Sequence, residues 1–218
     1  IPGIHATQAT TANKPILRRG TLNLLLQSED FSSASWTKIA ATVTANATTD
    51  PLGGSTADKL ISTAVANWHT VDQNVIPANT PVRFSVHAKA AEETKVALSD
   101  FLGATGCVFD LSAVTATVSG TDAALTISNP SITSSGNGWY RCSVSMLATA
   151  TKRAAIYVRQ FAISFLGDGT SGIYVWGAQL EIGTTASDYS PTTTAAASNP
   201  SAGKYWWQFD GSNDSLSL

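Results

Sequence analysis

The side chains in this sequence best suited to chemistry are aromatic residues with a polar partner close by. Trp68 is followed by His69 and Gln73, Trp139 by Arg141, and Tyr157 by Arg159, while Phe101 follows Asp100. A planar ring against the apolar face of a pyranose, with amide, imidazole or guanidinium groups beside it for the hydroxyls, is the chemistry of sugar recognition. Trp68, His69, Gln73, Trp139, Arg141, Tyr157 and Arg159 are therefore the candidate glycan-binding residues. Among the aromatics Trp68 is the best exposed candidate, whereas Trp36 and Trp176 read as core. Trp139 follows a glycine at a strand start, and either points outward or caps the fold.

Other chemistries find less support. A nucleophilic hydrolase needs a Ser or Cys activated by a His, and no Gly-x-Ser-x-Gly elbow is present. A glycosidase needs paired carboxyl groups roughly 5–10 Å apart; acids are available, but none sits in a recognisable catalytic context, so no catalytic residue is assigned. His87 alternates outward from Val86 and reads as solvated. Cys107 and Cys142 make no Cys-x-x-Cys and read as two buried thiols, with a disulfide the alternative.

Composition bounds the partners. The formal net charge is −2, and no basic run exceeds Arg18-Arg19 or Lys152-Arg153, so nucleic acid is an unsuitable ligand. The apolar runs are far shorter than the ~20 residues of a spanning helix, which predicts no membrane insertion. The start of the chain lacks the charged and apolar regions of a secretory signal and reads as a cut through a longer chain.

The elements that must position these side chains are strands. Charged residues make up 13% of the 218, and short Val/Ile/Phe/Tyr/Trp runs are separated by Ser, Thr, Ala and Gly, so the predicted class is all-β. Strands are predicted near 23–27, 41–46, 56–62, 68–76, 82–90, 94–101, 106–111, 114–119, 124–128, 139–148, 154–165 and 173–182. Turns are predicted at Gly53-Gly54, Asn79-Thr80-Pro81, Asn129-Pro130, Gly136-Asn137-Gly138 and Gly167-Asp168-Gly169. About a dozen short strands at this spacing predict a sandwich. Period-two alternation places Tyr174, Trp176, Ala178, Leu180 and Ile182 on one face of a closing strand, with Gln179 and Glu181 opposite. It likewise turns Val82, Phe84, Val86 and Ala88 inward, with Tyr140, Cys142, Val144 and Met146. Arg83, Ser85, His87 and Lys89, and Trp139, Arg141, Ser143 and Ser145, then face water or a ligand.

Several motifs occur in a fixed order: Asn23-Leu24-Leu25, Ser28-Glu29-Asp30-Phe31, Trp36, Ala57-Asp58-Lys59-Leu60, Phe84-Ser85-Val86 with Ala88-Lys89-Ala90, Gly138 to Val144, Tyr174 to Glu181, and Tyr189-Ser190-Pro191-Thr192. In this order they resemble the jelly-roll, carbohydrate-binding-module-like domain that recurs in tail and fibre proteins of bacteriophages and prophages. The resemblance covers roughly residues 22–194. It implies an all-β jelly-roll sandwich on a virion (tail, fibre or capsid surface), made in the bacterial cytoplasm, where thiols stay reduced. It further implies a non-catalytic, laminin-G-associated structural protein that binds glycans of the bacterial surface in host attachment or virion decoration. Its partners would be that polysaccharide, other virion proteins and copies of itself as a homo-oligomer. The alternative is a purely structural spacer or oligomerisation domain; a glycoside hydrolase is the distant third. No cofactor is implied beyond a structural Ca²⁺, which such jelly rolls often hold between opening and closing strands. Hard oxygens such as those of Glu29, Asp58, Gln179 and Glu181 would suit it, but no spacing singles out that site, and strand-edge hydrogen bonding is the preferred role for these residues.

The ends read differently. Residues 1–21 are a linker with a short strand at Ile16-Leu17, and residues 195–218 a second linker leading into Tyr205-Trp206-Trp207-Gln208-Phe209-Asp210-Gly211. The latter resembles the first hairpin of a laminin-G or concanavalin-A-like domain. A stretch similar to His5-Ala6-Thr7-Gln8-Ala9-Thr10 and Lys14-Pro15-Ile16-Leu17 commonly comes just before that hairpin. Here residues 22–194 lie between them, so the jelly roll reads as an insertion, with Leu22 near Pro191 and Ile16-Leu17 running beside residues 204–209.

Overall fold

The computed structural model describes residues 16–19, 23–101, 104–161, 164–195 and 205–208. The chain divides into two compact units, one of residues 1–21 with 198–218 and one of residues 22–197. In the first, β1 (Ile16–Arg19) pairs antiparallel with β16 (Tyr205–Gln208), Ile16 opposite Gln208. The remaining residues on which the laminin-G resemblance rests, and Leu22, lie outside the described ones.

The second unit has no helix among its described residues. Its strands are β2 (Thr37–Ile39), β3 (Ala41–Thr48), β4 (Ala57–Ser62), β5 (Ala66–Asn67), β6 (Thr70–Ile76), β7 (Val82–Ala90), β8 (Lys95–Ser99), β9 (Thr105–Asp110), β10 (Thr115–Gly120), β11 (Leu125–Gly136), β12 (Trp139–Ala148), β13 (Lys152–Val158), β14 (Phe165–Leu166) and β15 (Gly172–Ile182). Two six-stranded antiparallel sheets form, in the orders β10-β9-β8-β13-β6-β2 and β11-β12-β7-β15-β4-β3, and β5 pairs separately with β14. Within them the eight strands β4, β6, β7, β8, β9, β12, β13 and β15 interleave as β4-β15-β7-β12 facing β6-β13-β8-β9. That order is the double Greek key of a jelly roll.

Alternating apolar residues build the core between the sheets. Val82, Phe84, Val86 and Ala88 of β7 meet Val96 and Leu98 of β8, Cys107 and Phe109 of β9, Cys142 and Val144 of β12, and Ala154, Ile156 and Val158 of β13. Both cysteines are buried and unbonded. Residues 23–27, expected as a strand, form bends instead, because Asn23 takes over the pairing with its side chain. Its amide nitrogen donates to the carbonyls of Ala178 and Ser190, each at 3.0 Å, and its amide oxygen accepts from the backbone of Leu25 and Leu180. Asn129-Pro130, expected as a turn, lies within β11, where the register against β12 shifts between Ser128 and Ser131.

The outward faces of β7 and β12 are not open as the alternation predicted. Arg83, Ser85, His87, Ser143 and Ser145 all have under a tenth of their surface exposed. The chain after β15 lies over them: Ser145 donates to the Thr184 carbonyl, Arg141 to the Ser187 carbonyl, and Tyr189 packs on Trp176 with ring centroids 4.6 Å apart. Trp139 does point to this outer face, yet it is 1% exposed. It packs with Ala57 and Trp176 and donates its indole N–H to the Thr49 carbonyl at 3.1 Å.

Alternation in β15 is also broken. Trp176 stands opposite His87, but Gln179 stands opposite Ser85, so a bulge separates them. Gly177 makes it possible at φ 60°, a left-handed conformation that a Cβ disfavours. Ile173, Val175, Ala178 and Leu180 therefore face the main core, whereas Trp176 joins the outer cluster and Ile182 is 64% exposed.

Candidate functional site

The outer face of the β6-β13-β8-β9 sheet is built of small residues. Asp72, Ala155, Ser99 and Gly106 are directly opposed in sequence across the four strands. A Cβ on Gly106 would sit 2.6 Å from the Phe161 ring, so its absence lets that ring lie flat on the sheet. Ala97, Ala155, Tyr157 and Phe161 form a second small core here, and Trp68, Phe101 and Val108 pack half-buried against it. The Trp68 and Phe101 rings meet edge to face at 6.1 Å and 81°.

Beside this aromatic pair opens a cavity of about 180 Å³ lined by Asn74, Asp100, Phe101, Thr151, Lys152 and Arg153. The Arg153 guanidinium lies over the Phe101 ring, 5.3 Å from its centroid, with Nε 3.0 Å from Asp72 Oδ1. That contact lacks the alignment of a hydrogen bond, and both Asp72 oxygens are buried without a hydrogen-bond partner. Burial accordingly raises the Asp72 carboxyl above the usual range, the Arg153 charge opposing it only in part. Asp100 accepts from Lys152 Nζ at 2.7 Å, and its Oδ1 is buried and unpartnered. Asp100 and Asp122 together raise the Lys152 ammonium, so it stays charged. The cavity thus joins an aromatic wall to amide, carboxylate, ammonium and guanidinium groups, a set that can stack on one saccharide ring and bond its hydroxyls.

None of the candidate glycan-binding residues chosen from sequence lines the cavity. Trp68 comes nearest, edge-on to Phe101; Tyr157 is 1% exposed, and its hydroxyl lies 2.8 Å from the carbonyls of both Asp100 and Phe101, which shapes the loop that carries the Phe101 ring. His69 is fully buried, its ring nitrogens held by the Ala40 and Phe165 carbonyls. Gln73 is 4% exposed and binds both the N–H and the carbonyl of Leu26. Trp139 is core. Arg159 is exposed but engaged by Glu93 through two nitrogens, with its charge over the Phe165 ring at 4.5 Å. Arg141 lies on the opposite sheet, its Nε and Nη2 on Ser85 Oγ and its Nη1 on the Ser187 carbonyl. Buried polar side chains need such partners, and the partners leave none of these four polar groups aimed at the cavity. Asn74, Lys152 and Arg153 were missed. The one sequence signal for them was the Lys152-Arg153 pair, followed two residues after Arg153 by Ala155, whose small side chain lies on the outer face of β13.

The proposed calcium ligands do not converge. Asp58 accepts the backbone N–H of Phe31 at 2.8 Å and of Asn46 at 2.9 Å; Glu29 accepts from Tyr189 and Thr56. Gln179 donates to Glu181, and the two accept the amides of Ser190 and Ser187 respectively. Among the described residues no group of three or more His, Cys, Asp or Glu could hold a metal ion. Glu29 joins the opening loop to the closing segment through the Tyr189 hydroxyl, Asp58 holds Phe31 of the opening loop to β4, and Gln179 and Glu181 hold the residues that follow β15. Among the described residues no helix is long and apolar enough to cross a membrane.

No known protein family matches the chain, and no curated protein does. Among solved structures, the enzymatically active domain of tailspike protein 4 from bacteriophage CBA120 is similar at 19% identity and a TM-score of 0.40. The likeness covers 73% of this chain and 21% of that one, so the chain spans a small part of that protein's length.

Proposed function

We propose that residues 22–194 form a non-catalytic glycan-binding module of a phage virion protein, with the Phe101 cavity as its saccharide site. The observation that carries this reading is the pairing of Phe101 and Trp68 rings beside a cavity lined by Asn74, Asp100, Lys152 and Arg153. The ordered motifs from Asn23 to Thr192 support the virion context by resemblance, and bacterial surface polysaccharide is the substrate class that context implies. Self-association on the virion belongs to the same proposal.

A glycan array of bacterial surface polysaccharides tests it. Binding is expected, and Trp68→Ala or Phe101→Ala should weaken it by about tenfold or more, while both variants still unfold in one cooperative transition, at a lower midpoint because these rings pack against the second core. Trp139→Ala is not a site variant, since that ring is core. A blank array would overturn the proposal in favour of the spacer, and release of reducing ends from a bound polysaccharide would overturn it in favour of a hydrolase.

A further inference from the structure

On the other sheet, a broad groove of about 730 Å³ crosses β11, β12 and β7 and is closed on one side by Thr184, Thr185 and Ala186. Its lining includes Arg83, Arg141, Ser131, Thr133 and Ser143, hence two guanidinium groups, several hydroxyls and no carboxylate. Arg83 is 6% exposed. Its Nη1 donates to the Asn129 carbonyl at 2.6 Å and to Ser145 Oγ at 3.1 Å, and its Nη2 to Ser143 Oγ at 2.6 Å. Every one of these acceptors is neutral, and Nε, also buried, has no partner. Glu181 stands opposite Arg83 in the β15–β7 pair, but its Oε1 is engaged by the Gln179 amide and the Ser187 N–H. Arg141 is likewise bonded to a hydroxyl and a carbonyl. Burial, then the neighbouring Arg141, holds the Arg83 guanidinium below its usual range, with the Glu181 charge opposing; burial likewise lowers Arg141, opposed by the charges of Glu181 and Asp188.

A buried cation held by neutral acceptors lacks the charged partner that makes guanidinium bonding strong, and an incoming anion supplies it. We propose that this groove is a second saccharide subsite, one that selects sugars bearing an acidic group: the anion lies on the Arg83–Arg141 pair, and the hydroxyls of Ser131, Thr133 and Thr184 meet the ring. It rests on the glycan-binding reading but not on the Phe101 cavity.

The test uses the full chain and three probes in calorimetry: tetragalacturonate, its methyl ester, and a sulfated tetrasaccharide of the heparin type. At least one acidic probe should bind below about 1 mM, more weakly as salt rises, and the methyl ester should bind at least about tenfold more weakly than the free acid. Thr133 is exposed and directly opposite Arg141 across the β11–β12 pair. Thr133→Glu should therefore abolish acidic binding, with Thr133→Gln as the neutral control. Arg141→Gln should lose about tenfold or more, and Arg141→Lys less. No binding of either acidic probe, equal binding of acid and ester, or binding unchanged in Thr133→Glu would each overturn the proposal. If Trp68→Ala abolishes neutral-glycan binding while acidic binding is absent from the wild type, this inference fails alone; retained acidic binding with a blank neutral array supports it while the Phe101 site fails.

Discussion

Trp176 and His87 face each other across the β15–β7 pair with ring centroids 5.3 Å apart, on the sheet face turned away from the main core. Tyr189 closes over both, 4.6 Å from the Trp176 ring and 6.2 Å from the imidazole. The closing strand thus serves two cores, and the bulge at Gly177 is what divides it between them.

Removing the indole tests that division. Trp176 is 2% exposed and donates its N–H to Thr56 Oγ1 at 2.8 Å. Trp176→Ala should destabilise the fold by about 3–5 kcal/mol in a urea titration, as deletion of a fully packed aromatic does. A loss under about 1 kcal/mol would place the ring outside any core.

The bulge itself can be probed at Gly177. A Cβ there would have to adopt φ 60° and would approach the Tyr189 ring to 3.2 Å and His87 Nδ1 to 3.3 Å. Gly177→Ala should cost about 2 kcal/mol, combining left-handed strain with the displaced ring. Tyr189 fluorescence and the urea midpoint should shift together.

Burial, then the Arg141 charge, lowers the His87 imidazole from 6.5 to about 4. The unfolded chain therefore binds a proton that the native state refuses between those two values. Stability is full above about pH 6.5 and falls as the pH drops toward 4, by about 3 kcal/mol from this group at most. His87→Phe should flatten the difference between melting curves at pH 7 and pH 4.5; an unchanged difference would show that another group carries the acid sensitivity.

The thiols give a chemical readout of the main core. Burial pushes Cys107 up to about 12 and Cys142 higher still. Neither should react with a disulfide reagent at pH 8 in the native state, and both should react on unfolding. Rapid native labelling of either would contradict its place between the sheets.

Much of the scaffold was legible in the residues alone. Short apolar runs between turn signals located β3, β4, β6, β7, β8, β9, β10, β12 and β15 to within a few residues, whereas the run at 154–165 overshot the end of β13, Lys152–Val158; period-two alternation showed the inner faces of β7 and β12, because a strand with one face on a core must repeat at two. The motif order pointed to the jelly roll, and its polar side chains fasten the ends of the unit: Asn23, Thr192 and Tyr189 join the opening loop to the closing segment across more than a hundred positions, Asp58 holds Phe31, and Gln179 and Glu181 hold the residues after β15. The identity of these side chains is written in the sequence while their partners are not.

Only the tertiary structure decided which outward faces meet water. Alternation tells which side of a strand a residue occupies; it says nothing of what is laid over that side. The segment after β15 buries His87 and Ser143, the loop at Thr49 buries Trp139, and the turn at Phe165 seals His69, each by contacts set far along the chain. One face left partly open is where Phe101 and Arg153 meet, brought together because Phe101 follows β8 and Arg153 lies in its neighbour β13, a pairing that no periodicity shows.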